Sequence, residues 1–306
     1  MLLLNYLSDR KNLLLLVVAI NFVLCHFAYK HLWTDDVQTP VRIPRSGITI
    51  DRPFHDPTKS KQLIAVGSGI TSKKLTNVYE NNIGKKFQFF YTFLPTFCNT
   101  ASPRFIYKFY LAYDHGDQVF ANQRLRDAFQ RQFYASTASG SCRARGITTN
   151  LSLVEGNNAG KPTWAQNHAM LEAYLDHVDY FYRVNDDTRM LTGGWAEKFI
   201  STLEKYDPSR VGVVGPNHYG GNTGILTYDF VHRTHIDIFG FYYPHLFTDW
   251  WGDNWITRVY KPKRSTKISN IRLVHTLGLG QRYRVNYAAV RHLGEQLVHG
   301  AAIINR

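Results

Sequence analysis

Short apolar runs alternate with helically spaced segments along most of this chain. Gln62–Ile70 (QLIAVGSGI) is apolar almost throughout, which predicts a buried strand leading into a Gly-Ser-Gly turn. Arg104–Asp114 (RFIYKFYLAYD) predicts a second strand, Leu151–Gly156 a third, Asp179–Asp186 (DYFYRVND) a fourth and Arg210–Pro216 a fifth. Between them lie helical patterns. Asn122–Phe133 places Leu125, Ala128, Phe129 and Phe133 on one face; Pro162–His177 carries a proline in its first turn; Gly193–Tyr206 follows the fourth strand. Strands and helices in this order indicate an α/β fold with a doubly wound, mostly parallel sheet and a mixed C-terminal part. Such sheets bind ligands at the carboxyl ends of their strands. Asp114, Gly116, Asp117 and Asn185–Asp187 fall at those ends.

The N-terminus follows a different pattern. Leu13–Tyr29 is a 17-residue apolar run interrupted only by Asn21 and His26, at the short limit for a membrane span. Arg10 and Lys11 precede it, favouring a cytoplasmic tail. An uncleaved anchor fits better than a signal peptide, because no small-x-small cleavage site follows. The expected organisation is a cytoplasmic tail (1–12), a transmembrane helix (13–29), a Pro- and Arg-bearing stem (30–61), a first, ligand-binding part of the body (62–190) and a second, catalytic part (191–306). The body would then face the Golgi or ER lumen. Cys98 and Cys142 could pair there or remain buried thiols, and Asn150-Leu151-Ser152 is a glycosylation sequon.

Composition narrows the function. The 306 residues are 14% aromatic and 19% charged, which excludes a disordered chain, and the net charge of +13 suits either a soluble surface or an anionic ligand. The basic residues are scattered and no zinc-finger or RNP-type motif occurs, so nucleic acid is not an expected partner. No Walker-type loop is present either; GNNAGKPT lacks its glycine spacing.

The candidate chemistry gathers at Asn185-Asp186-Asp187. Adjacent carboxylates at a strand end can hold a hard divalent cation, serve as an acid/base pair or cap the element that follows. Their setting resembles the nucleotide-sugar domain of GT-A fold glycosyltransferases. Asn158 and Gly160 precede a helix bearing Ala165-x-Asn167, and 18 residues later a hydrophobic strand ends in a DxD-like motif whose first position is Asn185. The resemblance spans about Gln62–Tyr260. It implies a sugar transferred from a nucleotide sugar, UDP-linked, to a glycan or glycoprotein acceptor with Mn²⁺ or Mg²⁺. Asp187 would be the main metal ligand, supported by Asp186, with His275 as a third and His292 and His299 as alternatives. Asp114, Asp117, Asn158, Lys161, Asn167, Asn185 and Gly221 would contact the donor.

Downstream, Phe247–Tyr260 (FTDWWGDNWITRVY) brings three tryptophans close to two carboxylates. Trp250, Trp251 and Trp255 could stack on an acceptor sugar. Asp253, with Asp249 second, matches the acidic base that inverting GT-A enzymes place at a helix start; without that base a retaining mechanism stays open. The segment could equally be a Trp-rich core whose Asp caps a helix near Asn254. Two other readings remain: a membrane-anchored glycan-binding protein with a degenerate site, and a metal-dependent nucleotidyltransferase.

Overall fold

Three apolar runs form parallel strands: β1 (Leu63–Gly69), β2 (Ile106–Asp114) and β3 (Thr148–Gly156), with β3 pairing β2 and β2 pairing β1. The computed structural model describes residues 61–158, 160–276, 280 and 283–305. The expected tail, transmembrane helix and stem lie outside them. Among the described residues no helix is long and apolar enough to cross a membrane.

On the far side of β1 lies β4 (Tyr180–Arg183), also parallel and buried at all four positions. From there the sheet becomes mixed, in the order β3-β2-β1-β4-β7-β6-β8-β5. β7 (Phe230–His232) runs antiparallel to β4 and to β6 (Val213–Tyr219). β8 (Ser265–His275) runs parallel to β6, and β5 (Thr188–Met190) closes the edge antiparallel to β8. The two parts expected on either side of Met190 therefore share one sheet.

Helices cover both faces. Asn122 caps the 15-residue α-helix Gln123–Thr137, its side chain accepting from the Arg124 and Leu125 amides. That helix buries Ala128, Phe129 and Phe133, as the periodicity predicts, and extends four residues further than expected. Phe89, Phe90 and Phe120 pack around Phe129, and Phe89, Phe97 and Phe133 around Phe109, mostly edge to face or tilted. Phe89–Phe93 is a π-helical turn continuing into the helix Leu94–Thr100, where Cys98 forms a disulfide with Cys142.

The opposite face carries the helix Pro162–Leu175, with proline at its start where a missing N–H costs nothing. Here the sequence reading is corrected. Gly67-Ser68-Gly69 is not a turn but the end of β1, because the helix lies too close for side chains. A Cβ on Gly67 would sit 2.6 Å from the Met170 methyl, and one on Gly69 3.1 Å from Ala165. The fifth expected strand starts later, at Val213, since Gly212 turns against Tyr206 and the Arg264 carbonyl.

Candidate active site

The carboxylate turn is built by strand register. β4 leads through Val184, whose amide donates to the Gly67 carbonyl, into the turn Asn185–Thr188, closed by the Thr188 amide on the Asn185 carbonyl. β5 then pairs with β8 so that Thr188 faces His275. This register sets His275 Nε2 3.4 Å from Asp187 Oδ1 and 3.3 Å from Asn185 Nδ2. The Thr276 hydroxyl donates to the Asp187 carbonyl at 2.7 Å, fixing the turn from the same side.

Gly220 and Gly221 close the site from β6. Both have positive φ, and a Cβ on Gly220 would lie 2.8 Å from the His275 carbonyl, so only glycine permits this approach. Gly221 stands beside the His275 ring: its Cβ would be 3.5 Å from Nδ1.

The residues fit a divalent cation. Asp187 Oδ1 is buried without a hydrogen-bond partner. A neutral Nε2 has a single in-plane lone pair, which Asn185 Nδ2 can also address, so a cation beside the orphaned oxygen would take the place of the Asn185 contact. Two lone-pair donors facing each other need a proton or a cation between them. Ligands of Mg²⁺ stand at about 2.1 Å, so neighbouring donors are roughly 3 Å apart, close to the separation observed. Asp186 is equally buried, within electrostatic reach of Tyr91. Among the described residues no group of three His, Cys, Asp or Glu side chains could hold a metal, and at this turn Asp187 and His275 converge as a pair. His292 lies instead beside Glu295, 3.9 Å away.

At the ends of β2 and β3, Asp114 accepts from the Asn158 and Gly160 amides, both at 3.0 Å, and so shapes the loop before the Pro162 helix. Asn158 is 1% exposed, and neither its Oδ1 nor its Nδ2 has a partner. His168 Nδ1 is also unpartnered, and burial holds that imidazole below its usual range. Lys161 lies over the Trp164 ring at 3.6 Å.

Two expected donor contacts are engaged elsewhere. Asp117 receives the Thr71 and Ser72 hydroxyls and the Ser72, Val119 and Phe120 amides, and ties the loops after β1 and β2 together. Asn167 spends both amide atoms on the Tyr243 backbone: Oδ1 accepts from the N–H at 2.7 Å and Nδ2 donates to the carbonyl at 2.9 Å.

In the segment expected to meet an acceptor, Asp253 stands in the first turn of the helix Gly252–Val259. Burial raises its carboxyl above the usual range, and the Arg183 guanidinium opposes that shift. Asp249 is less available. Its carboxylate already receives the Thr248 hydroxyl and the Trp250 and Asn286 amides, clipping the segment before Tyr287 in place. Trp250 is 40% exposed, with its edge toward Tyr287, and Trp251 bonds the Asn286 carbonyl. Trp255 is a correction. At 1% exposure it packs among His235, Phe239 and Phe241 and donates to the Gln296 carbonyl, so it offers no face to a sugar. His235 lies between the Tyr260 hydroxyl and the Tyr242 carbonyl, and His232 beside Thr234.

Sequence reasoning passed over Arg183 and Asp229. Arg183 is a buried cation on β4 whose Nη1 donates to the Thr227 carbonyl. Asp229 is fully buried beside it. The available signal was a charge inside each of two otherwise apolar segments, YFYRV and TYDFV.

No family model and no curated protein matches the chain. Among solved structures it is similar to S. aureus TarS 1–349, at 13% identity over 79% of this chain and 69% of that one, with a TM-score of 0.48. The same protein in complex with UDP gives 13% identity and a TM-score of 0.44 over 78% and 65% of the two chains. Its complex with UDP-GlcNAc gives 13% and 0.45 over 79% and 70%.

Proposed function

We propose that this protein is a glycosyltransferase that moves a sugar from a UDP-linked donor to an acceptor hydroxyl, with a divalent cation. The observation that carries this reading is the Asp187–His275 pair, whose orphaned buried oxygen faces a ring nitrogen, with Asp187 in the turn that follows the strand bearing Arg183.

Bound Mn²⁺ or Mg²⁺ would neutralise charge developing on the leaving diphosphate. Asp187 and His275 would hold it, the cation taking the Nε2 lone pair that otherwise meets the Asn185 amide. Asp114 organises the Asn158–Gly160 loop beside the nucleoside, and Lys161 stands at the helix start within reach of a phosphate. Asp253 takes the proton from the acceptor hydroxyl as its oxygen bonds to the anomeric carbon and the nucleoside diphosphate leaves from the opposite face, and this single displacement gives inversion. Trp250, and Trp251 beside it, provide aromatic surface for an acceptor glycan.

The Cys98–Cys142 disulfide supports a body in an oxidising compartment. Together with the apolar run at 13–29 it favours a type II membrane protein facing the Golgi or ER lumen. The test is incubation of the purified protein with a panel of nucleotide sugars and Mn²⁺. Metal-dependent release of nucleoside diphosphate, with sugar appearing on the acceptor in the inverted configuration, is the expected result. No release from any donor, with glycan binding intact, would leave a glycan-binding protein instead.

A further inference from the structure

A buried polar chain links the donor side of the sheet to Asp253. It begins at Asn167, whose amide holds both backbone polar atoms of Tyr243. The Tyr243 hydroxyl donates to Asp229 Oδ2 at 2.5 Å, and the Tyr242 hydroxyl donates to the other oxygen. The Asp229 carbonyl receives the Arg183 amide at 2.9 Å. Arg183 Nη1 donates to the Thr227 carbonyl at 2.5 Å, and the Thr227 hydroxyl reaches Asp253 Oδ2 at 3.4 Å.

A second contact runs in parallel. The Tyr243 ring lies against Gly252, where a Cβ would sit 3.0 Å from Tyr243 Cγ. Gly252 immediately precedes Asp253, so Tyr243 governs the base both through its ring and through its hydroxyl.

We propose that Tyr243 and Asp229, anchored by Asn167, are positioning residues that set where the Asp253 carboxylate stands. The inference rests on the reading of Asp253 as the base. Burying the Asp229 carboxylate is costly without partners; the two tyrosine hydroxyls satisfy both of its oxygens, and a satisfied buried network holds its members in one geometry. The neighbour of that network is Arg183, whose Nε is buried without a partner and whose charge falls between Asp229 and Asp253. Facing Asp253 are Arg183 from β4, Thr227, Tyr243 and Tyr283, with Asp229 behind Arg183 and the Asn254 amide on its own helix.

The charges make opposite predictions. Removing the Asp229 charge leaves Arg183 wholly to Asp253, so the base ionises at lower pH. Removing the Arg183 charge strips the opposing cation, so the base ionises at higher pH.

The experiment compares the full-length wild type with Tyr243→Phe, Asp229→Asn, Arg183→Gln and Asp253→Asn. Transfer is measured across pH, and UDP affinity with Mn²⁺ by calorimetry. Tyr243→Phe removes one hydroxyl and keeps the ring. It is expected to lower kcat roughly tenfold or more, with UDP affinity unchanged. The acid limb of kcat should move down in Asp229→Asn and up in Arg183→Gln. Wild-type kcat in Tyr243→Phe, or limbs moving the same way, overturns the bridge. If the two charge variants do not fold, Tyr243→Phe decides alone. Transfer by the wild type that Asp253→Asn leaves intact removes the base and the bridge together. A wild type without transfer overturns the proposed function as well; an inactive Asp253→Asn beside an unaltered Tyr243→Phe overturns the bridge only.

Discussion

Asn167→Ala separates a ligand from a structural part. The side chain makes two hydrogen bonds, at 2.7 and 2.9 Å, to the backbone of Tyr243, 76 residues away. A net hydrogen bond is worth about 1 kcal/mol, and a stranded buried group costs about 1–3 kcal/mol. Alanine removes both bonds and leaves the Tyr243 N–H and carbonyl to find other partners, so the expected loss is about 2–4 kcal/mol. For a domain of this size 1 kcal/mol shifts Tm by about 2–4 °C, which gives a fall of roughly 4–16 °C. Scanning calorimetry of the ligand-free protein reads this directly. Asn167→Asp keeps the acceptor and loses the donor, so it should fall between. UDP affinity, measured well below the lowered Tm, should change little. An unchanged Tm with UDP affinity reduced tenfold would refute the reasoning and return Asn167 to the donor site.

Further expectations follow from the same geometry. Asp187→Ala should abolish Mn²⁺-dependent UDP binding in calorimetry, and His275→Ala should weaken it at least about tenfold; unchanged binding in either removes that residue from the metal site. Asp253→Asn should reduce kcat by about 10²–10⁴ with donor affinity spared, read by UDP release in the presence of acceptor. Replacing Cys98 and Cys142 together by serine opens a loop of 44 residues and should cost about 4 kcal/mol in urea unfolding. Burial depresses His235 to about 4 and His232 to about 3, below the unfolded 6.5. The unfolded chain therefore binds more protons between these values, and stability should fall as pH drops from 6.5 toward 4. Asp229, raised to about 6 by burial, opposes this between pH 4 and 6; His235→Gln should flatten the acid slope of a Tm-versus-pH series.

The first four strands and their helices were legible because each is a continuous apolar run or a clear helical stripe. β5 and β7 were not, since three residues cannot show a period. Phe89–Thr100 reads as neither helix nor strand, being apolar on nearly every side with Pro95 inside it. In the candidate site, the Asp186–Asp187 turn and Asp253 were singled out by residue type, by place in the chain and by the resemblance to GT-A enzymes. Trp255 was misplaced because an indole suits a core as well as a sugar face. The engagement of Asn167 and Asp117 could not be read, because their partners include backbone amides and carbonyls contributed by remote segments. Arg183 and Asp229 left a trace, a charge where an apolar residue belongs, but charge alone does not say which partner answers it.

The sheet order has a consequence for how the protein comes into being. Asp187 is made before its partner, since the strand that presents His275 to it is the last among the described residues, and β5 has no strand neighbour until that strand arrives. A chain emerging from the ribosome cannot bring Asp187 and His275 together until residue 275 has cleared the exit and threaded between β6 and β5. Such long-range closure is slow.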